Sequence, residues 1–575
     1  MLCTERVTST DRQAPAPGQA PLPAPNAAAL LRRNALDHTI ASRPAIRFED
    51  KVWTHGEYVA NSRRWANLFL ERKPDGPFHV GVLLDNIPEY LFAFGGAAFA
   101  GATIVGLNHT RRGDNLLRDI EHTHISLIVT EPRHEELLAP ISDRLPCDVL
   151  TVGSSLDDAL MAVGGEDPGL EPELDTTWML IFTSGTSDAP KAVICSQRRI
   201  MVTGTRFSMM LGLTTEDVAY VAMPLFHSNA VMVGWAPSIV AGASVGLARK
   251  FTASGWLPDV RRYGATWFNY TGKPLSYILA TPEQPDDADN TLKVAFGNEG
   301  SPQVVSEFAR RFGVEVIDAF GATEGGVAVQ RTDNMPAGAM GLVGETVKVV
   351  DEEGNERPRA RFDADGRLAN ADECVGEIVN TSGVGPFEGY YNNAEANEKT
   401  TRFGWYWSGD LGYVDDAGFL YFAGRNAEWL RVDGENFPAG PIEAAVSRHP
   451  DVVIAAVYGV PDEQAGDQVM AALILRDGAS FDPVAFAAWL DGQTDIGPKW
   501  RPRYVRVSSE LPATATNKVL KRALVHQKFR SDRTGGDPMW TRGRGEDVYR
   551  PFTGDDEAAL QLKFAEAGRE RFWDL

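Results

Sequence analysis

A hydroxyl-rich loop between two strand-like runs is the first segment whose residue types could do chemistry. The loop Thr183–Lys191 follows the apolar run Trp178–Phe182 and leads into a second one, Ala192–Cys195. Gly185 lets the backbone approach a ligand closely, and successive N–H groups together with Lys191 can surround phosphate oxygens. The loop is not a Walker motif, which needs GxxxxGK[ST] at the start of a helix. A Ser/Thr-rich hairpin turn is the alternative explanation of this segment alone.

The run Asp318–Gly325 places an aromatic ring, a hydroxyl and a carboxylate close together, directly after the strand-like Val314–Ile317. The ring of Phe320 can stack on a purine, and the hydroxyl of Thr323 can hold a phosphate. Glu324 offers carboxylate oxygens, which are the ligands that Mg²⁺ takes. The order of these side chains indicates a nucleotide site with a metal ion, although aromatic-glycine turns are also common in other proteins.

Two further segments carry a carboxylate and a lysine. Asp410 follows a glycine turn, where a carboxylate can accept both hydroxyls of a ribose, and Arg425 at the next strand end can add a donor. An aspartate that simply terminates a strand is the alternative. Nearer the C-terminus, Lys518 lies on a polar turn ahead of a basic helix and could reach an anionic centre by motion of a small domain. Lys521, on that helix, is expected to be solvated.

Taken in order, these four segments resemble the adenylate-forming superfamily of acyl-CoA synthetases, luciferases and peptide-synthetase adenylation domains over residues 45–530. The resemblance implies an ATP-dependent acyl-CoA synthetase that forms an acyl-adenylate with Mg²⁺ and then passes the acyl group to coenzyme A. It assigns catalysis to Lys518, Thr186, Thr323, Glu324 and His227, with Glu324 as the metal ligand. It assigns ATP contacts to Thr183, Ser184, Gly185, Thr186, Ser187, Lys191, Glu299, Gly300, Ser301, Ala319, Phe320, Gly321, Ala322, Thr323, Asp410, Arg425 and Lys518.

The same resemblance places the remaining functions. The acyl pocket would contain His227, Tyr270 and Gly272, and the hinge would include Ala427. A loop on the coenzyme A side would contain Arg431, Gly434, Glu435 and Asn436. The segments Phe320–Gly325, Tyr270–Pro274, Gly297–Gly300 and Gly434–Asn436 are most similar to the very-long-chain acyl-CoA synthetase and fatty-acid transport group. Within that group the chain is similar to actinobacterial members, which implies a fatty acid or a sterol side-chain acid as substrate.

The sequence departs from the family pattern at four positions. Asp188 and Ala192 stand where the phosphate loop usually has glycine, and Asp188 puts a negative charge near the triphosphate. Asn517 replaces the glycine before the lysine, and asparagine tolerates the left-handed backbone better than most residues. Ala427 replaces a charged hinge residue. These changes put the rate of the pyrophosphate step and the charge contacts of the hinge in doubt.

Long-range organisation must position these segments. From 45 to 330, apolar runs such as His79–Leu84 alternate with amphipathic segments such as Gln303–Arg311, which is typical of parallel sheets with crossover helices. Short strands from 340 to 424 predict a small antiparallel, barrel-like subdomain. We therefore expect an α/β fold with a large N-terminal domain and a small, mobile α+β C-terminal domain. The predicted units are a disordered lead-in with a helix (1–44), the large domain (45–424), the hinge (425–428), the small domain (429–528) and a tail (529–575).

Composition limits the classes of partner. The 575 residues contain 56 Lys and Arg against 78 Asp and Glu, a net charge of −22, which argues against a nucleic-acid surface. Four dispersed cysteines indicate neither disulfides nor a zinc site, and a reducing cytoplasm fits best. The uncharged run Tyr90–Leu107 is divided by glycines and reads as a buried helix and strand rather than a membrane span. Peripheral membrane contact and a homodimer stay open.

Three other functions compete with the synthetase. Gly242–Gly246 matches the G-x-S-x-G of serine hydrolases, but no helical pattern follows Ser244 directly, as a nucleophile elbow requires. A fatty-acid-binding homologue that has lost catalysis is a second alternative, and the catalytic side chains present argue against it. A fatty-acyl-AMP ligase that hands the acyl group to a carrier protein is the third.

Overall fold

The computed structural model describes residues 20–183, 190–271, 273–298, 300, 302–319, 321–330, 332, 335–336, 339–362, 368–425, 429–432, 435–463, 466–493, 496–514, 518–543 and 545–574. Its helices are α1 (Ala27–Leu36), α2 (His55–Glu71), α3 (Pro88–Ala100), α4 (Gly113–His122), α5 (Glu135–Leu138), α6 (Ser155–Ala162), α7 (Gln197–Leu211), α8 (Ala236–Ala241), α9 (Ala253–Tyr263), α10 (Pro274–Ala280), α11 (Pro302–Phe312), α12 (Ala371–Cys374), α13 (Ala394–Thr400), α14 (Ala439–Val446), α15 (Pro483–Asp491), α16 (Lys521–Gln527), α17 (Gly554–Glu566) and α18 (Glu570–Asp574). A π-helix, Asn229–Trp235, runs directly into α8.

The strands are β1 (Pro44–Phe48), β2 (Lys51–Thr54), β3 (His79–Leu83), β4 (Thr103–Gly106), β5 (Leu127–Thr130), β6 (Asp148–Thr151), β7 (Thr177–Thr183), β8 (Lys191–Ser196), β9 (Val218–Val221), β10 (Ser244–Leu247), β11 (Trp267–Thr271), β12 (Val294–Asn298), β13 (Glu315–Asp318), β14 (Ala339–Leu342), β15 (Val347–Val350), β16 (Gly376–Asn380), β17 (Tyr406–Val414), β18 (Phe419–Arg425), β19 (Trp429–Val432), β20 (Glu435–Pro438), β21 (Val452–Pro461), β22 (Asp467–Leu475), β23 (Tyr504–Val507), β24 (Met539–Thr541) and β25 (Arg550–Pro551).

Two largely parallel sheets form the large domain. One has the order β13-β12-β11-β9-β10-β1-β2 and the other β6-β5-β3-β4-β7-β8. Antiparallel pairing in them is confined to β1 with β2 and β7 with β8. Parallel strands need helical crossovers, and both faces of such sheets are covered, so inner strands such as β3, β4 and β5 are buried along their whole length. The predicted alternation of strands and helices is confirmed, and the strands β11, β12 and β13 end side by side at one carboxyl edge.

The uncharged run Tyr90–Leu107 forms most of α3 and all of β4, both of which are buried. Gly101 ends the helix with a φ of 70°, a conformation that glycine adopts without steric cost. The prediction of a buried helix and strand is therefore confirmed. Within the described ranges no helix combines the length and apolar character that crossing a bilayer requires.

The antiparallel subdomain is a five-stranded sheet of order β14-β18-β17-β16-β15. The C-terminal domain is built on a second five-stranded sheet, β21-β22-β23-β24-β25, in which only β22 and β23 are parallel. The last two strands come from the segment predicted as a tail, 529–575. The C-terminal domain has its own core, which contains Ile442, Val457 and Phe486. The expected division into a large α/β part and a small α+β part agrees with this architecture.

Candidate functional site

The phosphate-loop prediction falls on a β-hairpin. Thr183, the last residue of β7, pairs with Lys191, the first residue of β8, so the residues between them form the hairpin connection. The intervening residues Ser184, Gly185, Thr186, Ser187, Asp188 and Ala189 lie outside the described residues. Ala192, the second departure from the family pattern, is fully buried within β8. Lys191 is thus the first residue of β8 after the predicted phosphate loop.

Asp318 joins the carboxyl ends of three neighbouring strands. Its Oδ2 accepts hydrogen bonds from the hydroxyl of Tyr270 at 2.7 Å and from the backbone N–H of Gly300 at 2.8 Å. A Cβ on Gly300 would lie 2.7 Å from that oxygen, which explains why a glycine stands there. Asn298 donates to the carbonyl of Gly321 at 3.2 Å. Open α/β sheets bind ligands at the carboxyl ends of their parallel strands. Three other residues predicted to contact ATP here, Glu299, Ser301 and Phe320, lie outside the described residues.

Thr323 and Glu324 are held by neighbours from three other elements. The hydroxyls of Thr323 and Ser228 lie 2.8 Å apart, and the Glu324 Oε1 accepts a 2.8 Å hydrogen bond from the hydroxyl of Tyr390. Arg199, on α7, donates to the backbone carbonyls of Thr323 and Glu324. The guanidinium therefore fixes the turn through its backbone and leaves the carboxylate to Tyr390.

Asp410 lies inside β17 and does not terminate it, so the strand-end alternative is wrong. Gly409, with φ 75°, bends the strand just before it, and Asp410 is the register partner of Arg425 at the end of β18. The neighbouring Tyr406 connects this strand to the Glu324 turn. Burial raises the pKa of the Tyr406 phenol, and the charges of Glu324 and Asp410 raise it further. The charges of both carboxylates therefore act on one buried phenol.

The positive charge of Lys518, in the C-terminal domain, acts on His227 of the large domain. The pKa of His227 is lowered from 6.5 to about 3, first by burial and then by the positive charge of Lys518. The Lys518 turn is closed by Thr514, whose N–H donates to the Lys518 carbonyl at 2.7 Å and whose hydroxyl accepts from the Lys518 N–H at 3.1 Å. Asn517 lies outside the described residues.

Asn86, which the sequence did not single out, holds the loop that presents His227. Its side-chain amide donates to the Met223 carbonyl at 2.9 Å and to the Ala248 carbonyl at 3.2 Å, while its oxygen accepts from the Leu225 N–H at 2.9 Å. Asn86 follows β3 of one sheet, whereas Ala248 follows β10 of the other. The His227 loop is therefore fixed at the junction of the two sheets.

The predicted acyl-side residues differ in what they can offer. Tyr270 is fully buried with its hydroxyl bonded to Asp318, and its carbonyl accepts from the Asn229 side chain at 3.1 Å. Gly272 lies outside the described residues. Met232 and Val233, in the π-helix that follows His227, are apolar and 7% and 8% exposed. This apolar π-helix begins two residues after His227 in the chain.

Comparisons with known proteins all find AMP-binding enzymes and CoA ligases. A family model described as AMP-binding enzyme matches residues 31–391, and its C-terminal domain model matches residues 441–518. A steroid-22-oyl-CoA synthetase from Rhodococcus jostii is 46% identical over 94% of this chain and 98% of that protein. A medium/long-chain-fatty-acid–CoA ligase, FadD17 from Mycobacterium tuberculosis, is 46% identical over 86% of this chain and 94% of that protein.

The chain belongs to the AMP-binding enzyme family. The fold agrees with solved members at low identity. An anthranilate CoA ligase in complex with anthranoyl-AMP has a TM-score of 0.77 at 22% identity, covering 90% of this chain and 98% of that one. A benzoate CoA ligase from Burkholderia xenovorans has a TM-score of 0.74 at 20% identity, covering 87% and 99%. The predicted resemblance to adenylate-forming enzymes is confirmed.

One sequence expectation changes in this AMP-binding enzyme, and the argument against a serine hydrolase is supported. Lys521 is not simply solvated, because its Nζ lies 3.1 Å from the Glu443 carboxylate within the C-terminal domain. Ser244 lies within β10 and donates to the carbonyl of Pro44. The strand continues through it, so the sharp strand-to-helix turn of a serine hydrolase is absent at this residue.

The coenzyme A-side prediction falls on the hairpin β19–β20, in which Arg431 and Asn436 are register partners and Glu435 begins the second strand. Gly434 and the hinge residue Ala427 lie outside the described residues. The hairpin follows β18 directly in sequence, so it is the first element beyond Arg425. Its position in the chain is what the hinge prediction requires.

Asp85, Glu131 and His134 form a cluster whose ligand atoms lie within 4.8 Å of one another. The cluster is already compensated by cations, since Arg133 pairs with Asp85 and Arg249 lies 2.9 Å from Glu131. Burial tends to raise the pKa of Asp85, but hydrogen bonds from His134 and Arg133 lower it to about 2. We read the cluster as an ion-pair network that braces the end of β3 beside Asn86.

The depressed pKa of His227 predicts a loss of stability in acid. Between pH 6.5 and about 3 the unfolded chain protonates this imidazole and the folded protein does not, so the free energy of unfolding falls as the pH falls. Between pH 7 and pH 5 this effect lowers the free energy of unfolding by at most about 2 kcal/mol. His227→Asn removes it, so the melting temperature of the variant should drop less over the same pH range. The same change at exposed His38 should leave the drop unaltered. Identical pH slopes in all three proteins would contradict the assignment.

Proposed function

We propose that this chain is an AMP-forming acyl-CoA synthetase that activates a long, apolar carboxylic acid, either a long-chain fatty acid or a steroid side-chain acid. The acid and ATP give an acyl-adenylate and pyrophosphate, and coenzyme A then takes the acyl group and releases AMP. Support comes from two relatives of 46% identity, one named for a steroid acid and one for medium- and long-chain fatty acids. Cys147, Cys195 and Cys374 are free thiols, which fits a cytoplasmic location.

One observation supports the proposal most: the charge of Lys518 acts on His227, whose loop contacts the turn that carries Thr323 and Glu324. The positive charge of Lys518 acts on His227, and the next residue, Ser228, contacts the Thr323 hydroxyl. Glu324 follows and is bonded to Tyr390. A cation, a hydroxyl pair and a carboxylate are therefore connected through the His227 loop and the Thr323–Glu324 turn. That combination suits a reaction in which two anions, a carboxylate and a triphosphate, must be brought together.

In the adenylation step, an oxygen of the substrate carboxylate attacks the α-phosphorus of ATP, and the bond to the bridging oxygen of pyrophosphate breaks. Negative charge grows on the phosphate oxygens, and the Lys518 ammonium and Thr323 hydroxyl stabilise it. His227 remains neutral at physiological pH because its pKa is about 3, so it adds no charge beside Lys518. Catalysis of this kind depends mainly on positioning and on preorganised electrostatics.

The donor chemistry at Glu324 fits Mg²⁺. The carboxylate is half-buried and is oriented by a neutral hydroxyl, so its negative charge is retained for a cation that takes oxygen ligands. A bound Mg²⁺ would neutralise charge on the phosphate groups of ATP and on the departing pyrophosphate. Glu324 would hold the metal ion, and the hydroxyl of the preceding residue, Thr323, would lie beside that carboxylate in sequence.

In the second step the coenzyme A thiolate attacks the acyl carbon, and AMP leaves with the bonding electrons of its acyl–oxygen bond. The small domain turns at residues 425–428 between the two steps, which withdraws Lys518 and brings the β19–β20 hairpin to the site. Asp410 and Arg425 hold the ribose throughout. These roles follow the family pattern.

The apolar π-helix that follows His227 supports a long substrate. Met232, Val233 and Trp235 are buried along the π-helix. Leu275 and Ile278, which follow Tyr270, pack in a separate core with Trp256 and Phe308. The π-helix belongs to the main core, and it is our candidate for contact with the acyl chain because it begins two residues after His227.

A panel of acids tests the proposal directly. Acetate, octanoate, palmitate and a steroid side-chain acid are each incubated with ATP, Mg²⁺ and coenzyme A, and the thioester is measured. Each buried CH₂ contributes about 0.8 kcal/mol, which strengthens the binding constant about fourfold. The kcat/KM for palmitate or the steroid acid should therefore exceed that for acetate by several orders of magnitude. A preference for acetate would contradict the proposed substrate class. Pyrophosphate release without any thioester would favour the fatty-acyl-AMP ligase instead.

A further inference from the structure

We propose that Tyr390 is a positioning residue that aligns the Glu324 carboxylate for the metal ion and links it to Lys191 at the phosphate loop. The inference rests on the proposed function, because it concerns how that site receives ATP with its metal. Tyr390 lies in the connection between β16 and α13, outside the four segments that the sequence marks for chemistry.

The contact with Glu324 orients a carboxylate without neutralising it. The Tyr390 hydroxyl donates to Glu324 Oε1 at 2.8 Å, and the tyrosine is 6% exposed. An arginine or lysine in that place would compete with a metal ion for the carboxylate charge, whereas a phenol is neutral at physiological pH. The guanidinium of Arg199 is directed instead at the backbone carbonyls of the same turn. The arrangement keeps the charge of Glu324 available to a cation.

The ring of the same residue contacts the phosphate loop. The ammonium of Lys191 lies 5.4 Å from the centroid of the Tyr390 ring, within the range at which a cation is attracted to an aromatic face. Lys191 is the first residue of β8 and closes the loop. A single side chain therefore contacts both the carboxylate proposed to bind the metal and a cation proposed to bind the phosphates.

The backbone of Tyr390 is fixed on both sides. Tyr390 forms an antiparallel bridge with Val193, and the flanking residues complete the pairing through Ile194 N–H to Gly389 carbonyl and Tyr391 N–H to Ala192 carbonyl. Asn397, on α13, accepts from the Tyr390 N–H at 2.7 Å and donates to its carbonyl at 3.0 Å. The ring is thus held against β8, and a rigid orienting group is what metal ligands require.

Binding of an unreactive ATP analogue separates this role from a general structural one. We would measure the affinity of α,β-methylene-ATP by calorimetry, once with Mg²⁺ and once with EDTA, for the wild type and Tyr390→Phe. The phenylalanine keeps the ring over Lys191 and removes only the hydroxyl. We expect the strengthening by Mg²⁺ to fall about tenfold, with affinity in EDTA within twofold of the wild type.

Tyr391→Phe is the matched control. Its hydroxyl contacts His124 Nδ1 at 2.8 Å, so the variant also loses one tyrosine hydrogen bond, but away from Glu324. It should keep the wild-type ratio of the two affinities. Tyr390→Leu, which also removes the ring, should weaken binding in EDTA as well.

Three results would overturn the inference. Equal losses in Mg²⁺ and EDTA for Tyr390→Phe would indicate a structural role, and an unchanged ratio would show that the hydroxyl does not serve the metal. A ratio lowered equally in Tyr391→Phe would remove the specificity of the claim. If the wild type failed to bind the analogue under either condition, the proposed function itself would fall, and this inference with it.

Discussion

Lys518→Ala should slow adenylate formation by about a hundredfold or more while leaving thioester formation from supplied acyl-adenylate near the wild-type rate. The charge of Lys518 acts on His227, and we propose that its ammonium stabilises charge on the reacting oxygens. Removing one preorganised donor from such a site costs about 3 kcal/mol. The lysine serves only the first step if the small domain then turns away. Pyrophosphate release and conversion of synthetic acyl-adenylate with coenzyme A measure the two steps separately.

Lys521→Ala is the control in the same part of the chain. It removes an equal charge near the start of α16 and breaks the ion pair with Glu443, whose side chain is 24% exposed. Pairs of this kind contribute about 0–1 kcal/mol to stability, so both half-reactions should stay within a few-fold of the wild type. If Lys518→Ala slowed both half-reactions to the same extent, a packing role would explain the lysine better, and domain alternation would lose its main support.

The sequence was informative where a function depends on consecutive residues. A loop between two strands, or a hydroxyl next to a carboxylate, is visible as a pattern, so β7 and β8 around the loop and the Thr323–Glu324 turn could be located before the structure was known. The alternation of apolar and amphipathic segments likewise predicted the parallel sheets, since each element must bury one face. The roles of the individual residues stay predictions.

The sequence was silent where a function depends on contacts between distant segments. Arg199, on α7, and Tyr390, before α13, reach the Glu324 turn only because the sheets bring those elements together. Neither lies in a motif, and an arginine on an amphipathic helix is usually solvated. Lys521 was misjudged for the same reason, because its partner Glu443 is remote in sequence. Side-chain partners of this type are fixed by tertiary packing, which single-sequence patterns do not encode.

Glu324→Gln should reduce pyrophosphate release by on the order of a hundredfold and raise the Mg²⁺ concentration needed for half-maximal rate. The amide keeps the shape of the side chain, and its oxygen can still accept from the Tyr390 hydroxyl, so the turn held by Arg199 is preserved. What is lost is the negative charge, which a divalent cation requires from its protein ligand. A magnesium titration of pyrophosphate release, with palmitate as the acid, measures both changes.

Glu388→Gln provides the comparison, since Glu388 lies two residues before Tyr390 and accepts from the Ser196 N–H at 2.7 Å rather than facing the Glu324 turn. Its titration curve should overlie that of the wild type. If Glu324→Gln gave the wild-type rate at every Mg²⁺ concentration, Glu324 would not be the metal ligand. If instead its rate fell but the midpoint of the titration stayed unchanged, the carboxylate would act on the reaction by charge alone, and the metal would have to be held by the phosphates and other groups of the site.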